Sequence, residues 1–405
     1  MTSTETQPGL PGRVFETIAA RAARRLGEGL LAVAAKLETP ESKRIAILIH
    51  DLRGGGAERV AINLAKGMVE AGRQVDLVLI KAQGVYIDQI PPGVRVIDLN
   101  KSNVFKAVPA LVGYLRRERP RALLSNLTHV NIAALIAKAI AGGRTRIAVT
   151  EHSQISDKAA VQKRPRGRLL YRSVPFLYRT ADAVVAVSHG TADDVTRFAR
   201  LRGRPVRCIY NPVYSEGLIE ASKAASDHPW LQPGALPVVL GAGRLHPQKG
   251  FDVLMRAFAV ARATTPCKLI IMGEGEERAQ LEALARELSI TEDVSLVGFV
   301  ENPYAMMSRA SAFAMSSRSE GFSLVLLEAL ACGAPVVATD CASGPSEILA
   351  QGRYGILVPV DDFKALAKGI LDALGQKKAS GGVERAMNFS TEAATLAYLD
   401  VLEAA

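Results

Sequence analysis

From residue 44 onward the chain alternates short β-branched and aliphatic runs with longer stretches of helical apolar spacing, and it does so twice, with a break between. Strand runs that alternate with helix stretches close as parallel βαβ units with right-handed crossovers, so the pattern restricts the chain to an α/β fold. Strands are expected over 44–50, 75–80, 94–99, 122–126, 146–151, 183–188 and 206–210, with helices over 57–70, 104–117, 130–140 and 191–201. Near Asn211-Pro212 the rhythm fails, and the stretch before Pro237 carries Pro229, Pro233 and Gly234 without a strand pattern. It restarts with strands expected over 238–241, 268–272, 294–296, 312–315, 335–338 and 356–358. Helices are expected over 251–263, 277–288, 304–309, 323–331, 346–350, 364–374 and 391–403. The expected architecture is two doubly wound, Rossmann-like domains facing a central cleft. Its plan is an extension over 1–43, a first domain over 44–215, a linker over 216–236 and a second domain over 237–380. A C-terminal segment over 381–405 can cross back to the first domain. Ligands of open parallel sheets sit beyond the carboxyl ends of the strands, so chemistry is expected in the cleft.

Composition narrows the class further. Of 405 residues, 48% are hydrophobic and 22% charged, which excludes a disordered chain. The four cysteines, Cys208, Cys267, Cys332 and Cys341, form no C-x-x-C pair, so neither a zinc site nor a disulfide framework is expected. The most apolar window, 130–141, contains Asn131 and Lys138 and falls short of the roughly 18 residues of a membrane span.

Charge is unevenly placed. Residues 1–215 hold 34 Lys and Arg against 17 Asp and Glu, whereas the remainder is net acidic by 7. The first half therefore calls for an anionic partner. The basic half lacks an aromatic stacking motif, so nucleic acid is not expected and an anionic membrane surface or phosphorylated ligand is. Two stretches carry the charge. Residues 14–37 have the spacing of an amphipathic basic helix, and Lys158, Lys163, Arg164, Arg166, Arg168, Arg172 and Arg179 interleave with Leu169, Leu170, Tyr171, Phe176, Leu177 and Tyr178. Each stretch reads equally as a solvated or packed face.

Three loops could carry chemistry. The first strand leads through His50-Asp51-Leu52-Arg53 into Gly54-Gly55-Gly56, after which a helix begins, so backbone N–H groups of the three glycines can approach an anion. The loop lacks both the Walker A and the G-x-G-x-x-G spacing, and a plain tight turn remains open. In the second domain Gly243-Arg244 and Lys249-Gly250 flank one loop, where guanidinium and ammonium can converge on a diphosphate. Further on, Glu320-Gly321-Phe322-Ser323-Leu324 opens a helix that carries Glu328, giving Glu-x7-Glu. The N–H groups from Gly321 to Leu324 point out of that helix start, and Glu320 can accept from sugar hydroxyls. Glu328 on an apolar helix calls for polar partners, for which a ribose diol suffices.

Taken in order, these motifs resemble the retaining GT-B glycosyltransferases of family 4, also called glycosyl transferases group 1. The resemblance covers about residues 44–375 and includes Val187-Ser188, Asn211-Pro212 and Gly344-Pro345-Ser346-Glu347-Ile348. It implies that Arg244 and Lys249 hold the donor diphosphate, that Glu328 binds the ribose, and that Glu320 with the backbone of Phe322 and Ser323 binds the donor sugar. It also implies that Gly55 or Gly56 approaches the β-phosphate or acceptor and that His152 lies beside the transferred sugar. His246 and Glu347 are given only supporting roles.

The implied reaction retains configuration and needs no cofactor or divalent metal. The expected donor is a nucleotide diphosphate sugar, UDP favoured, carrying a hexose or N-acetylhexosamine. The expected acceptor is a lipid-linked sugar or oligosaccharide at the inner face of the cell membrane, where a cytoplasmic protein attaches peripherally. A hexosamine-nucleotide 2-epimerase and a non-catalytic binding module on the same scaffold stand as alternatives.

Overall fold

A computed structural model of the chain describes residues 42–142, 145–376 and 381–404. The amphipathic helix expected over 14–37 lies outside them. The first domain is built on a seven-stranded parallel sheet of order β3-β2-β1-β4-β5-β6-β7. Its strands are β1 (Ile45–Ile49), β2 (Val75–Leu79), β3 (Val94–Asp98), β4 (Ala122–Asn126), β5 (Arg146–Glu151), β6 (Ala183–Ala186) and β7 (Val206–Cys208). The second has a six-stranded parallel sheet of order β10-β9-β8-β11-β12-β13. Those strands are β8 (Val238–Ala242), β9 (Lys268–Met272), β10 (Val294–Gly298), β11 (Ala312–Met315), β12 (Val336–Thr339) and β13 (Ile356–Val358).

In both sheets the order reverses beside the first strand, between β1 and β4 and between β8 and β11. The crevice that opens at such a reversal is where an open sheet binds ligands, and each glycine loop read from the sequence leaves the strand that borders it. β1 is Ile-Ala-Ile-Leu-Ile with all five residues fully buried, as a strand covered by helices on both faces must be.

The sequence pattern and the structure differ where charge or proline masked the period. The basic-aromatic stretch folds into helices Ile155–Ala160 and Pro165–Leu177, the second started by Pro165 in its first turn. The linker contains the helix Glu216–Lys223, capped by the Ser215 side chain on Leu218 N. The helix expected over 304–309 is the single turn Tyr304–Met307. At the C-terminus, helix Thr391–Glu403 lies on helix Gly56–Glu70 of the first domain, with Tyr398, Leu399 and Leu402 in one cluster with Ile45, Leu64 and Met68. Arg73 fixes its end through Glu403 at 2.6 Å, and Arg146 Nε donates to the Val401 carbonyl at 2.9 Å. No helix of the described residues is long and apolar enough to cross a membrane.

Candidate active site

The first glycine loop delivers helix Gly56–Glu70 to the second domain. A Cβ on Gly56 would stand 3.2 Å from Leu324 Cδ1, so the two signature loops meet across the cleft. At the same helix start the Glu58 side chain folds back, its Cδ 3.0 Å from where a Gly55 Cβ would be. Burial raises the pKa of this carboxyl, opposed by hydrogen bonds from the backbone at Glu58 and Gly55. The chain's own carboxyl thus occupies the Gly55 side of the expected anion seat, as an acidic residue in the first turn reaches back to free N–H groups.

In the second domain Lys249 closes the short turn Pro247–Lys249, after which Gly250 takes a left-handed φ of 61°. A side chain on Gly250 would run into the Ser316 carbonyl. The turn is thereby tied to the loop after β11. Ser316 Oγ donates to the Lys249 carbonyl at 2.9 Å, and Gln248 Nε2 donates to the Ser319 carbonyl at 2.7 Å. Lys249 Nζ meets Glu320 Oε1 at 2.6 Å, and Ser317 Oγ donates to the same oxygen at 2.7 Å. The sequence assigns these two charges to diphosphate and sugar, and the structure also pairs them with each other. Gly243 lies over the Lys249 stem, 3.4 Å from Cε by its absent Cβ. Arg244 is exposed and makes no hydrogen bond or ion pair among the described residues.

Helix Leu324–Ala331 starts at Ser323 without a side-chain cap, and Ser323 Oγ is buried without a partner. Its first N–H groups, from Leu324 onward, therefore have no side-chain cap and can take an anion or hydroxyl. One turn along, Glu328 is 5% exposed and is met at Oε1 by Arg59 Nη1 at 3.4 Å and by the Tyr304 hydroxyl at 3.3 Å. Burial raises its pKa and the Arg59 charge opposes the rise.

His152 follows β5. Its Nε2 lies 2.9 Å from Asn126 Oδ1, and the Asn126 amide is oriented by Nδ2 donating to the Leu48 carbonyl at 3.3 Å. The proton is therefore on Nε2, and Nδ1 is sealed without a partner. Burial lowers the imidazole pKa to about 3, so the ring is neutral at physiological pH. Beneath it Glu151 is buried among Thr128 Oγ1 at 2.8 Å, Asn131 Nδ2 at 3.0 Å and the Tyr178 hydroxyl. The second domain rests directly on this segment: a Cβ on Gly321 would lie 2.6 Å from the His152 carbonyl carbon and 2.8 Å from Ser153 Cα. His152 is thus brought against Gly321, in the loop that carries Glu320 and Phe322.

Two further contacts close the cleft. Glu347 of the Gly-Pro-Ser-Glu-Ile motif accepts from His189 N at 2.9 Å, Gly190 N at 3.0 Å and the Tyr210 hydroxyl at 3.1 Å. A carboxylate on the start of helix His189–Phe198 is favourable by charge and by satisfying free donors. The donor atoms of His189 and Cys208 lie within 4.8 Å of this carboxylate, but both its oxygens are committed to the clamp. Ser319 Oγ also donates across the cleft to Asp157 Oδ2 at 2.8 Å.

Sequence reasoning passed over Arg59, Tyr86 and Tyr304, and the His50 Nδ1 to His129 Nε2 contact at 3.3 Å. Arg59 was visible only as the second residue after the glycines' Ala57, with nothing to say that it crosses the cleft. Burial, with His50 beside it, lowers the His129 pKa to about 4.

Two facing doubly wound domains, each with its loop at the switch point and a Glu-x7-Glu helix beside a lysine turn, define a GT-B glycosyltransferase. Residues 54–216 match the family described as Glycosyltransferase Family 4 and residues 223–394 that described as Glycosyl transferases group 1, and the chain belongs to this family. It is 30% identical over 347 residues, 83% of this chain and 91% of the other, to a Campylobacter jejuni protein. That protein is named N-acetylgalactosamine-N,N'-diacetylbacillosaminyl-diphospho-undecaprenol 4-alpha-N-acetylgalactosaminyltransferase. It is 27% identical, over 87% of this chain and 97% of the other, to the lipopolysaccharide core biosynthesis glycosyltransferase LpsE of Rhizobium meliloti. Among solved structures it superposes on Anabaena HepE, crystallised with UDP and glucose, at a TM-score of 0.73 and 22% identity, covering 90% of this chain and all of that one.

Proposed function

We propose that this glycosyltransferase moves a hexose or N-acetylhexosamine from a nucleotide diphosphate sugar, with uridine as the base, to a lipid-linked sugar at the inner face of the cell membrane. The observation that carries the donor reading is one compact wall. It is formed by the Lys249–Glu320 pair, the uncapped start of helix Leu324–Ala331 and the buried Glu328. On that wall Lys249 and Arg244 neutralise the diphosphate, Glu328 accepts from the ribose diol, and Glu320 with the N–H groups of Phe322 and Ser323 holds the sugar. The acceptor reading is supported by the names of the Campylobacter and Rhizobium relatives.

The reaction needs charge stabilisation on the leaving group more than a protein base. The anomeric C–O bond breaks toward the diphosphate, which Lys249, Arg244 and the helix-start amides stabilise. The acceptor oxygen bonds the same carbon from the same face, and its proton passes to the departing phosphate oxygen, so configuration is retained. His152, neutral and held by Asn126, lines the sugar without taking that proton.

Membrane attachment falls on helix Pro165–Leu177. Arg166, Arg168 and Arg172 flank Leu169, which is 69% exposed, and Phe176, 47% exposed, with Val161 at 76% just before it. Cations beside exposed apolar side chains suit an anionic lipid surface.

The test is a thermal-shift panel of UDP, GDP and ADP and their sugar conjugates on wild type and Glu328→Ala, followed by transfer to a polyprenyl-diphosphate sugar with the product anomer read by NMR. A shift with uridine ligands that the variant loses, and acceptor-dependent UDP release, are expected. No shift with any nucleotide, or an inverted product, overturns the donor or the retaining reading respectively.

A further inference from the structure

Arg59 belongs to the first domain, yet its guanidinium ends in the second. From helix Gly56–Glu70 its Nη1 donates to the Tyr304 hydroxyl at 2.6 Å and reaches Glu328 Oε1 at 3.4 Å. Its other edge is held at home, Nη2 and Nε meeting the Tyr86 hydroxyl at 2.9 and 3.3 Å. Tyr86 is 4% exposed, so the fork is fixed by a side chain that cannot follow the second domain. The Tyr304 hydroxyl in turn donates a hydrogen bond to Glu328 Oε1 at 3.3 Å.

We propose that Arg59 is a positioning residue for the donor nucleotide: it holds Glu328 as an oriented carboxylate only while the domains are closed, and so couples nucleotide binding to closure. The proposal rests on the reading of Glu328 as the ribose acceptor. Its logic is electrostatic. A carboxyl this deeply buried favours the neutral form unless a cation stands beside it, and Arg59 is the cation that faces it, Tyr304 and, behind Arg59, Tyr86 being the other titratable groups there. The two donors converge on Oε1, and a carboxylate offers about four lone-pair sites, so the capacity for a diol remains. A protonated carboxyl would accept from fewer hydroxyls. Because the cation comes from one domain and the carboxylate from the other, a ligand that needs the carboxylate favours the closed arrangement, and closure strengthens the ligand by the same factor.

The test measures Kd for UDP and GDP by calorimetry between pH 5.5 and 8.5 on wild type, Arg59→Met, Arg59→Lys, Glu328→Gln and the double variant Arg59→Met/Glu328→Gln. Small-angle scattering with and without nucleotide reports closure. For whichever nucleotide binds, the ratio of Arg59→Met to wild-type Kd is expected to be about ten- to a hundredfold at pH 6 and to shrink as pH rises and Glu328 ionises unaided. The nucleotide's own phosphate titration cancels in that ratio. Arg59→Lys restores most of the affinity, Arg59→Met has no further effect on Glu328→Gln, and nucleotide no longer contracts Arg59→Met. An Arg59→Met ratio near one at every pH, or an equal loss in the Glu328→Gln background, overturns the proposal. Wild type and Glu328→Gln binding equally, or wild type binding neither nucleotide, removes the ribose reading itself and the proposal with it.

Discussion

The Gly321→Ala substitution isolates domain closure from domain stability. Gly321 lies outside the left-handed region, so alanine fits its backbone, and all the obstruction comes from the opposite domain. The added Cβ would stand 2.6 Å from the His152 carbonyl carbon and 2.8 Å from Ser153 Cα, where ordinary contact begins at 3.4 Å. Both obstacles are backbone, so neither can rotate away. The loops must part by about 1 Å at this point, and a displacement of that size between reacting groups costs about a hundredfold in rate. The expected result is a kcat/KM lower by roughly that factor and a larger radius of gyration with nucleotide bound. Tm should stay within about 2 °C, since no core packing changes. The assay is acceptor-dependent release of nucleotide diphosphate together with small-angle scattering. A variant that transfers sugar at the wild-type rate with an unchanged radius of gyration would show that the Gly321–His152 contact does not set the catalytic geometry.

Other outcomes follow from the same interface and from the buried histidines. Glu347→Ala leaves two backbone donors and the Tyr210 hydroxyl without their acceptor, at about 1–3 kcal/mol of closed-state stability. It should weaken nucleotide binding by about tenfold, and unchanged affinity would show that the Glu347 clamp does not support the nucleotide-binding arrangement. His129 is held near pKa 4 in the fold against 6.5 when unfolded, so the unfolded chain takes up a proton that the folded one refuses. Its share of stability is complete above pH 6.5 and is lost as pH falls toward 4, by about 1.4 kcal/mol per unit. Unfolding free energies from urea titrations at pH 7.5 and 5.0 should therefore differ by roughly 2 kcal/mol more in wild type than in His129→Gln, and an equal difference in both would refute the assignment.

What the sequence disclosed depends on the range of the interaction. Strands such as β1 and β9 are legible because both faces are buried and the run is aliphatic throughout. The Lys249 turn and the Glu320–Glu328 stretch are legible because each is one local loop followed by one helix, where spacing alone fixes which groups converge. Helix Pro165–Leu177 was not, since Arg166, Arg168 and Arg172 interrupt the apolar period and mean hydropathy hides its face. Arg59 was illegible for a different reason. Its partners Tyr304 and Glu328 are 245 and 269 residues away, and only the docking of one domain on the other makes them neighbours. Glu58 was illegible for a local reason, since its return over Gly55 is a matter of rotamer.

The contacts across the cleft and the proposed donor contacts come from the same short segment. Ser319 reaches Asp157, Gly321 rests on His152, Leu324 meets Gly56 and Glu328 meets Arg59, all within the stretch 319–328 that follows β11. The proposed sugar and ribose contacts come from that segment too, through Glu320, the amides of Phe322 and Ser323, and Glu328. A ligand seated on those groups therefore cannot move them without also moving the joint, and the joint has no slack at Gly321. This makes the Lys249–Glu320 pair the adjustable part. Lys249 sits on a turn with 22% of its side chain exposed, so its ammonium can swing toward a diphosphate while Ser317 continues to hold Glu320. On the proposed donor reading, the carboxylate left behind is free to accept from sugar hydroxyls beside the diphosphate that the lysine holds.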